Sequence, residues 1–161
     1  MISMERIIVF DENDEKKMLL KRASMVINAL VRGLDEFDIE TRKRIMALCG
    51  EACAHSDGDV DIAKRIAEET LDEEEMVKRI NNEISWCGTW TWKDNTIQSV
   101  CVKCGCPLVR NNIIELTGTF CYCSRGWVKK IFETLLKKHV NVELEKSIGR
   151  GDKVCKFVVY I

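Results

Sequence analysis

The chain has 161 residues, the length of one ordinary domain that can bury a core without disulfide staples. Its 25 Lys and Arg against 26 Asp and Glu leave a formal net charge of -1, which argues against a surface built to wrap nucleic acid or hold anionic lipid. Met1 to Phe10 carries only the short apolar run Ile7–Phe10, closed by Asp11, Glu12 and Asp14, so neither a signal peptide nor a membrane span is read there and the cytoplasm is the expected compartment.

The first half reads as helical. Leu19, Ala23, Val26, Ile27, Leu30 and Leu34 recur at the spacing of one helix face, with Gly33 near its end. Met18, Met25 and Ala29 extend the apolar surface beyond that stripe, which predicts a homodimer interface. A second helix opens after Asp38, with Ile45, Leu48, Cys49, Ala52 and Cys53 as its inward stripe. A third follows Asp59 and buries Ala63, Ile66 and Ala67. A fourth begins at Thr70, where Thr70 and Glu73 make a capping box, and buries Met76, Val77, Ile80 and Ile84.

From Trp86 the apolar period shortens to two. Trp86, Trp90 and Trp92 alternate, Lys93-Asp94-Asn95 turns, and Ile97–Val102 returns as a second strand. Cys104-Gly105-Cys106-Pro107 breaks the ladder, since Gly and the only Pro of the chain favour a turn. The helix after Ser124 is the clearest, with Trp127, Val128, Ile131, Phe132, Leu135 and Leu136 in one stripe. The end is a hairpin: Val140, Val142 and Leu144, a turn at Gly149–Asp152, then Cys155, Phe157, Val159 and Ile161 on one face. Helices first and strands later predict a single α+β domain over 1–161, an antiparallel sheet with helices on one face.

Nine cysteines in a chain with no secretion signal read as reduced thiols for metal or redox chemistry, and the odd count weighs against a disulfide framework. Thiolate ligands must converge on one centre, which short Cys-x-Cys and Cys-x-x-Cys turns achieve because the chain barely leaves the site between them. Three ligand sets follow. One uses Cys104, Cys106, Cys121 and Cys123. A second replaces one of those pairs with Cys49 and Cys53, one helical turn apart. A third uses the Cys101/Cys104 knuckle. The sulfur-only donor set predicts zinc, with an iron–sulfur cluster as the alternative. Cys155 reads as a buried small hydrophobe, and His55 and His139 as surface residues outside any ligand motif.

Ser124-Arg125-Gly126-Trp127 sets donors and charge at a helix start, so Arg125 and Trp127 are ligand-pocket candidates. The three tryptophans at strand spacing read as core, with an apolar ligand pocket as the other possibility. No dinucleotide fingerprint, P-loop, nucleophile elbow or zinc-protease motif occurs.

Gly126-Trp127 opening an amphipathic helix, Val140-Asn-Val-Glu143-Leu-Glu-Lys-Ser147, and the ending Gly151-Asp152-Lys-Val-Cys155-Lys-Phe157 resemble the 4-vinyl reductase domain family over about 86–161, with the helical half, about 1–84, matching only loosely. The resemblance implies an α+β fold similar to vesicle-tethering TRAPP subunits, a small hydrophobic ligand and cysteine-bound zinc. Glu143 falls on the family's acidic strand residue, and Cys155 with Phe157 on its Cys-x-Phe ending. Ser147 departs, standing where the family often has a cysteine. Three functions are then expected in turn: a zinc-bearing small-molecule-binding or sensor domain, a reductase of a vinyl-type group on a tetrapyrrole-like substrate, and a thiol redox switch.

Overall fold

The structure, a computed structural model, describes residues 12–161, so the apolar run Ile7–Phe10 lies outside the described residues. The class is α+β, as the order of periodicities predicts. Six helices and four strands follow in the order α1 (Glu12–Gly33), α2 (Ile39–Ser56), α3 (Asp59–Glu69), α4 (Glu73–Glu83), β1 (Thr91–Lys93), β2 (Thr96–Cys101), α5 (Pro107–Arg110), α6 (Cys121–Leu136), β3 (Asn141–Lys146) and β4 (Cys155–Tyr160) among the described residues. The sheet is antiparallel in the order β1-β2-β4-β3. Among the described residues no helix is long and apolar enough to cross a membrane.

Helix α6 is the axis of the fold. Its one face packs Val128, Ile131, Phe132 and Leu135 onto the inward residues of the sheet, Ile97, Val142, Phe157 and Val159, all nearly inaccessible. Its other flank is crossed by α2 and α3. A helix covered on both sides needs more than one apolar stripe, and ten of its residues are buried. The α2–α6 crossing is unusually close. A Cβ placed on Gly50 would stand 2.0 Å from the Cys123 carbonyl oxygen, and one on Gly126 would stand 2.3 Å from that of Ala47, so each glycine admits the backbone of the opposite helix.

Several expectations shift. On α2 the buried positions are Met46, Gly50 and Ala54, with Cys53 half-buried, whereas Leu48 and Cys49 are exposed. The inward face is therefore centred on Gly50, a residue that no apolar stripe reveals. On α1 only Val31 is buried, while Leu19, Met25, Val26 and Leu30 are more than half exposed and Met18 is exposed too. The helix is tethered through polar side chains instead. Ser24 Oγ and Asn28 Nδ2 donate to the Ile113 carbonyl at 2.6 and 3.1 Å, and the Glu115 amide donates to Asn28 Oδ1 at 2.8 Å. Helix α4 starts at Glu73 with Asp72 as its cap, accepting from the Glu75 amide at 2.9 Å, while Thr70 ends α3. A carboxylate cap satisfies an end amide and the positive helix terminus together.

Candidate functional site

A cavity of about 450 Å3 opens where the C-terminal end of α2, the 104–106 loop with the start of α5, the first turn of α6 and the start of β4 meet. Its apolar wall is aromatic. Trp86 stacks on Trp127 with centroids 4.7 Å apart and planes 7° apart, and Phe157 meets Trp86 edge-on at 5.4 Å. Trp90 lies behind Trp86 at 5.4 Å and is itself braced by Phe132 at 4.8 Å. Trp86 is fixed by its indole N–H donating to Ser99 Oγ at 3.2 Å, and the Trp127 indole lies within electrostatic reach of the Asp59 carboxylate. Burial, with the charge of Asp57, raises the Asp59 carboxyl above its ordinary range, and the polar edge of Trp127 partly offsets this.

The rest of the lining is sulfur. Cys53, Cys104, Cys106, Cys121, Cys123 and Cys155 all border this cavity, and Cys49 alone among the free thiols does not. The remaining two cysteines, Cys87 and Cys101, form a disulfide. That corrects the expectation of nine reduced thiols and removes the Cys101/Cys104 knuckle as a ligand set. The physical reason is proximity: Trp86-Cys87 runs beside the end of β2, leaving the two Cα atoms 5.2 Å apart, within the ordinary span of a disulfide.

Cys121 and Cys123 lie inside the first turn of α6, not in a turn before it. At about 100° per residue, positions two apart face roughly opposite ways. Accordingly Cys121 packs in the larger core cluster and Cys123 in the smaller one, beside Met46, Ile114 and Phe120. The thiols therefore sort by neighbourhood and not by sequence pair. Cys123 makes a thiol–thiol hydrogen bond with Cys53 and feels the charges of Cys49 and Cys106. Cys104 feels Cys106 and Cys121, and Cys155 stands within reach of both Cys104 and Cys121. As placed, no three His, Cys, Asp or Glu side chains among the described residues stand close enough together to hold a metal ion.

The hydrogen bond from Cys123 favours thiolate at Cys53 and holds its pKa down at about 7, while Cys123 itself is pushed far up by giving that bond and by burial. Burial raises Cys104, Cys121 and Cys155 as well. Because the thiolate is the nucleophile, Cys53 is expected to react first with iodoacetamide, with a rate that climbs through pH 7, and Cys53→Ser is expected to abolish that fast phase. Site-resolved mass spectrometry of the alkylated protein checks this; first labelling at Cys104 or Cys121 would contradict it.

Arg125 and Trp127 do not share a pocket. Trp127 borders the thiol-lined cavity, whereas Arg125 donates from Nε to the Val142 carbonyl at 2.6 Å and faces a separate groove of about 380 Å3 along β3. His139 is mostly exposed, with Nδ1 2.8 Å from Glu133, and His55 is exposed too. Neither borders the thiol-lined cavity. Cys155 is the site residue that sequence reasoning set aside. Its signal was the β4 alternation, which puts it on the same face as Phe157, and both border the cavity.

Residues 3–160 match a family of unknown function, DUF6144, and the chain belongs to it. No curated protein matches the chain.

Proposed function

We propose that this chain is a small-molecule-binding domain, in which a largely apolar ligand lies against Trp86 and Trp127 and thiols at the rim hold a soft metal ion, zinc in the first instance. One observation carries the reading: a single cavity of about 450 Å3 combines a stacked indole wall with six free thiols. That volume suits a small organic molecule, and apolar lining with a few convergent polar groups is the usual composition of such sites. Thiolates select zinc or an iron–sulfur cluster over hard cations. The likeness of the C-terminal half to the 4-vinyl reductase domain supports the same kind of ligand.

Titration of planar apolar compounds, followed by tryptophan fluorescence, tests the pocket. Quenching that saturates in the native chain and is lost in Trp127→Ala is expected, because Trp127 is both wall and reporter. A panel that produces neither quenching nor a thermal shift would sink the reading. Elemental analysis of protein purified under reducing conditions without chelator tests the metal.

The Cys53–Cys123 contact favours a second reading, a thiol switch. Hydrogen peroxide would take two electrons from the pair, forming one S–S bond and releasing two waters as both thiol protons and both peroxide oxygens leave, and would lock α2 to α6 beside the pocket.

A further inference from the structure

We propose that Arg125 and Arg150, with Lys43 beside them, form an anion site at the open edge of β3, and that its ligand is a phosphate group, free or carried by a small organic molecule. The site stands apart from the thiol-lined cavity and does not depend on what that cavity holds.

β3 ends the sheet, so one of its edges has no neighbouring strand. Two arginines cover that edge. Arg125, from the second turn of α6, donates from Nε to the Val142 carbonyl at 2.6 Å, and Arg150, from the turn after β3, donates from Nη2 to the Leu144 carbonyl at 2.7 Å. Carbonyls two residues apart on a strand point the same way and stand about 7 Å apart, so the two guanidinium groups are set side by side. The stem of Arg150 is held as well. A Cβ on Gly118 would stand 2.9 Å from Arg150 Cγ, so the glycine leaves the space in which that side chain lies. Both arginines border the same groove of about 380 Å3.

Each of these bonds uses one of the five N–H groups of a guanidinium and leaves most of the fork open. Neither Arg125 nor Arg150 makes an ion pair among the described residues. The carboxylates nearest in sequence are committed elsewhere. Asp152 accepts from the Ser147 amide at 2.7 Å. Glu143 and Glu145 border the groove, but they alternate with the inward Val142 and Leu144 and so project from the far face of the sheet. There Glu143 takes the Tyr160 hydroxyl at 3.3 Å and Glu145 pairs with Lys156 at 2.7 Å.

Lys43 brings a third cation from α2. It pairs with Glu40 at 2.7 Å, and its Nζ lies 5.9 Å from the ring centre of Tyr122, which is buried and borders the groove. Two guanidinium groups without counter-charge call for two negative charges. A phosphate monoester carries them above its second ionisation at about pH 6, and a single carboxylate does not. Each arginine fork meets phosphate oxygens through parallel N–H bonds, so two forks can grip one phosphate from two sides.

Calorimetric titration of the full-length chain with inorganic phosphate and with phenyl phosphate tests this, at low salt and about pH 7.5, where the dianion prevails and screening is weak. One saturable site per chain is expected. Phenyl phosphate binding no tighter than inorganic phosphate identifies free phosphate as the ligand, and tighter binding identifies a phosphate on an organic body. Arg125→Gln and Arg150→Gln should each weaken binding at least about tenfold, since each removes a charge-assisted contact. Arg44 is exposed on α2 and lies outside the groove, so Arg44→Gln should leave binding unchanged. Should a variant fail to fold, phenylglyoxal labelling of the native chain, read by site-resolved mass spectrometry, gives the same information, with Arg125 and Arg150 shielded by inorganic phosphate and Arg44 not. The absence of a saturable phosphate isotherm, an equal loss in Arg44→Gln, or acetate binding as tightly as phosphate would overturn the proposal.

Discussion

Replacing Gly126 with alanine is expected to destabilise the protein, although alanine is the better helix former by roughly 1 kcal/mol. The propensity gain acts on α6 alone. The opposing term acts on the α2–α6 interface, where the new methyl would stand 2.3 Å from the Ala47 carbonyl oxygen and 2.4 Å from its Cα. Both are backbone atoms with nowhere to turn, so the two helices must separate along their length. Overpacking of that kind costs about 1–3 kcal/mol and occasionally more, and here it also loosens the largest helix–helix contact of the fold. A net loss of roughly 2 kcal/mol is expected, or about 4–8 °C in melting temperature at this chain length.

Gly33→Ala is the matched control. Gly33 closes α1 with φ -63°, and a Cβ there meets nothing within 4 Å, so that change should be neutral or stabilise by up to about 1 kcal/mol. Thermal unfolding of the two variants side by side separates close packing from propensity. A Gly126→Ala protein as stable as Gly33→Ala would mean that α2 and α6 do not cross at this distance. Since the same crossing brings Cys53 to Cys123, Gly126→Ala should also slow the alkylation of Cys53.

The contrast between these glycines shows what the sequence made legible. Apolar periodicity located α3, α4, α6 and the terminal hairpin, because each buries its apolar face against the fold and the pattern records that burial. It misplaced the inner face of α2, since the residue at its centre is Gly50, chosen for lacking a side chain. It overstated the burial of α1, whose attachment runs through Ser24 and Asn28 to backbone groups of the 113–115 loop. The cysteines behave alike. Local spacing singled out the two Cys-x-Cys pairs, and all four of these cysteines border the cavity. Which thiol neighbours which is decided by helix geometry at Cys121/Cys123 and by strand register at Cys101/Cys155, and neither is written in a Cys-x-Cys spacing. The Cys87–Cys101 disulfide, closed over a separation of 14 residues, belongs to the same class of tertiary facts.

Asn81 shows how a polar side chain of α4 sets the aromatic wall of the cavity, and its loss is expected to be the other costly change. Asn81 Oδ1 accepts from the Trp90 amide and Nδ2 donates to the Trp90 carbonyl, both at 2.8 Å. Trp90 is 2% exposed, so these two backbone groups have no water to turn to. In Asn81→Leu both lose their partner, at about 1–3 kcal/mol each, and the apolar gain of the leucine offsets only part of that. A net loss of roughly 2–4 kcal/mol follows, or about 5–15 °C in melting temperature. Asn81→Asp keeps the acceptor for the amide and loses the donor for the carbonyl, so it should fall between the two. The effect should reach the pocket in order of contact: Trp90 stacks on Trp86 at 5.4 Å, and Trp86 stacks on Trp127 at 4.7 Å. Ligand quenching of tryptophan fluorescence should therefore weaken in Asn81→Leu at a temperature where the variant is still folded. A variant that melts with the native chain would show that Trp90 is held by its ring contacts alone, and that Asn81 does not position the wall.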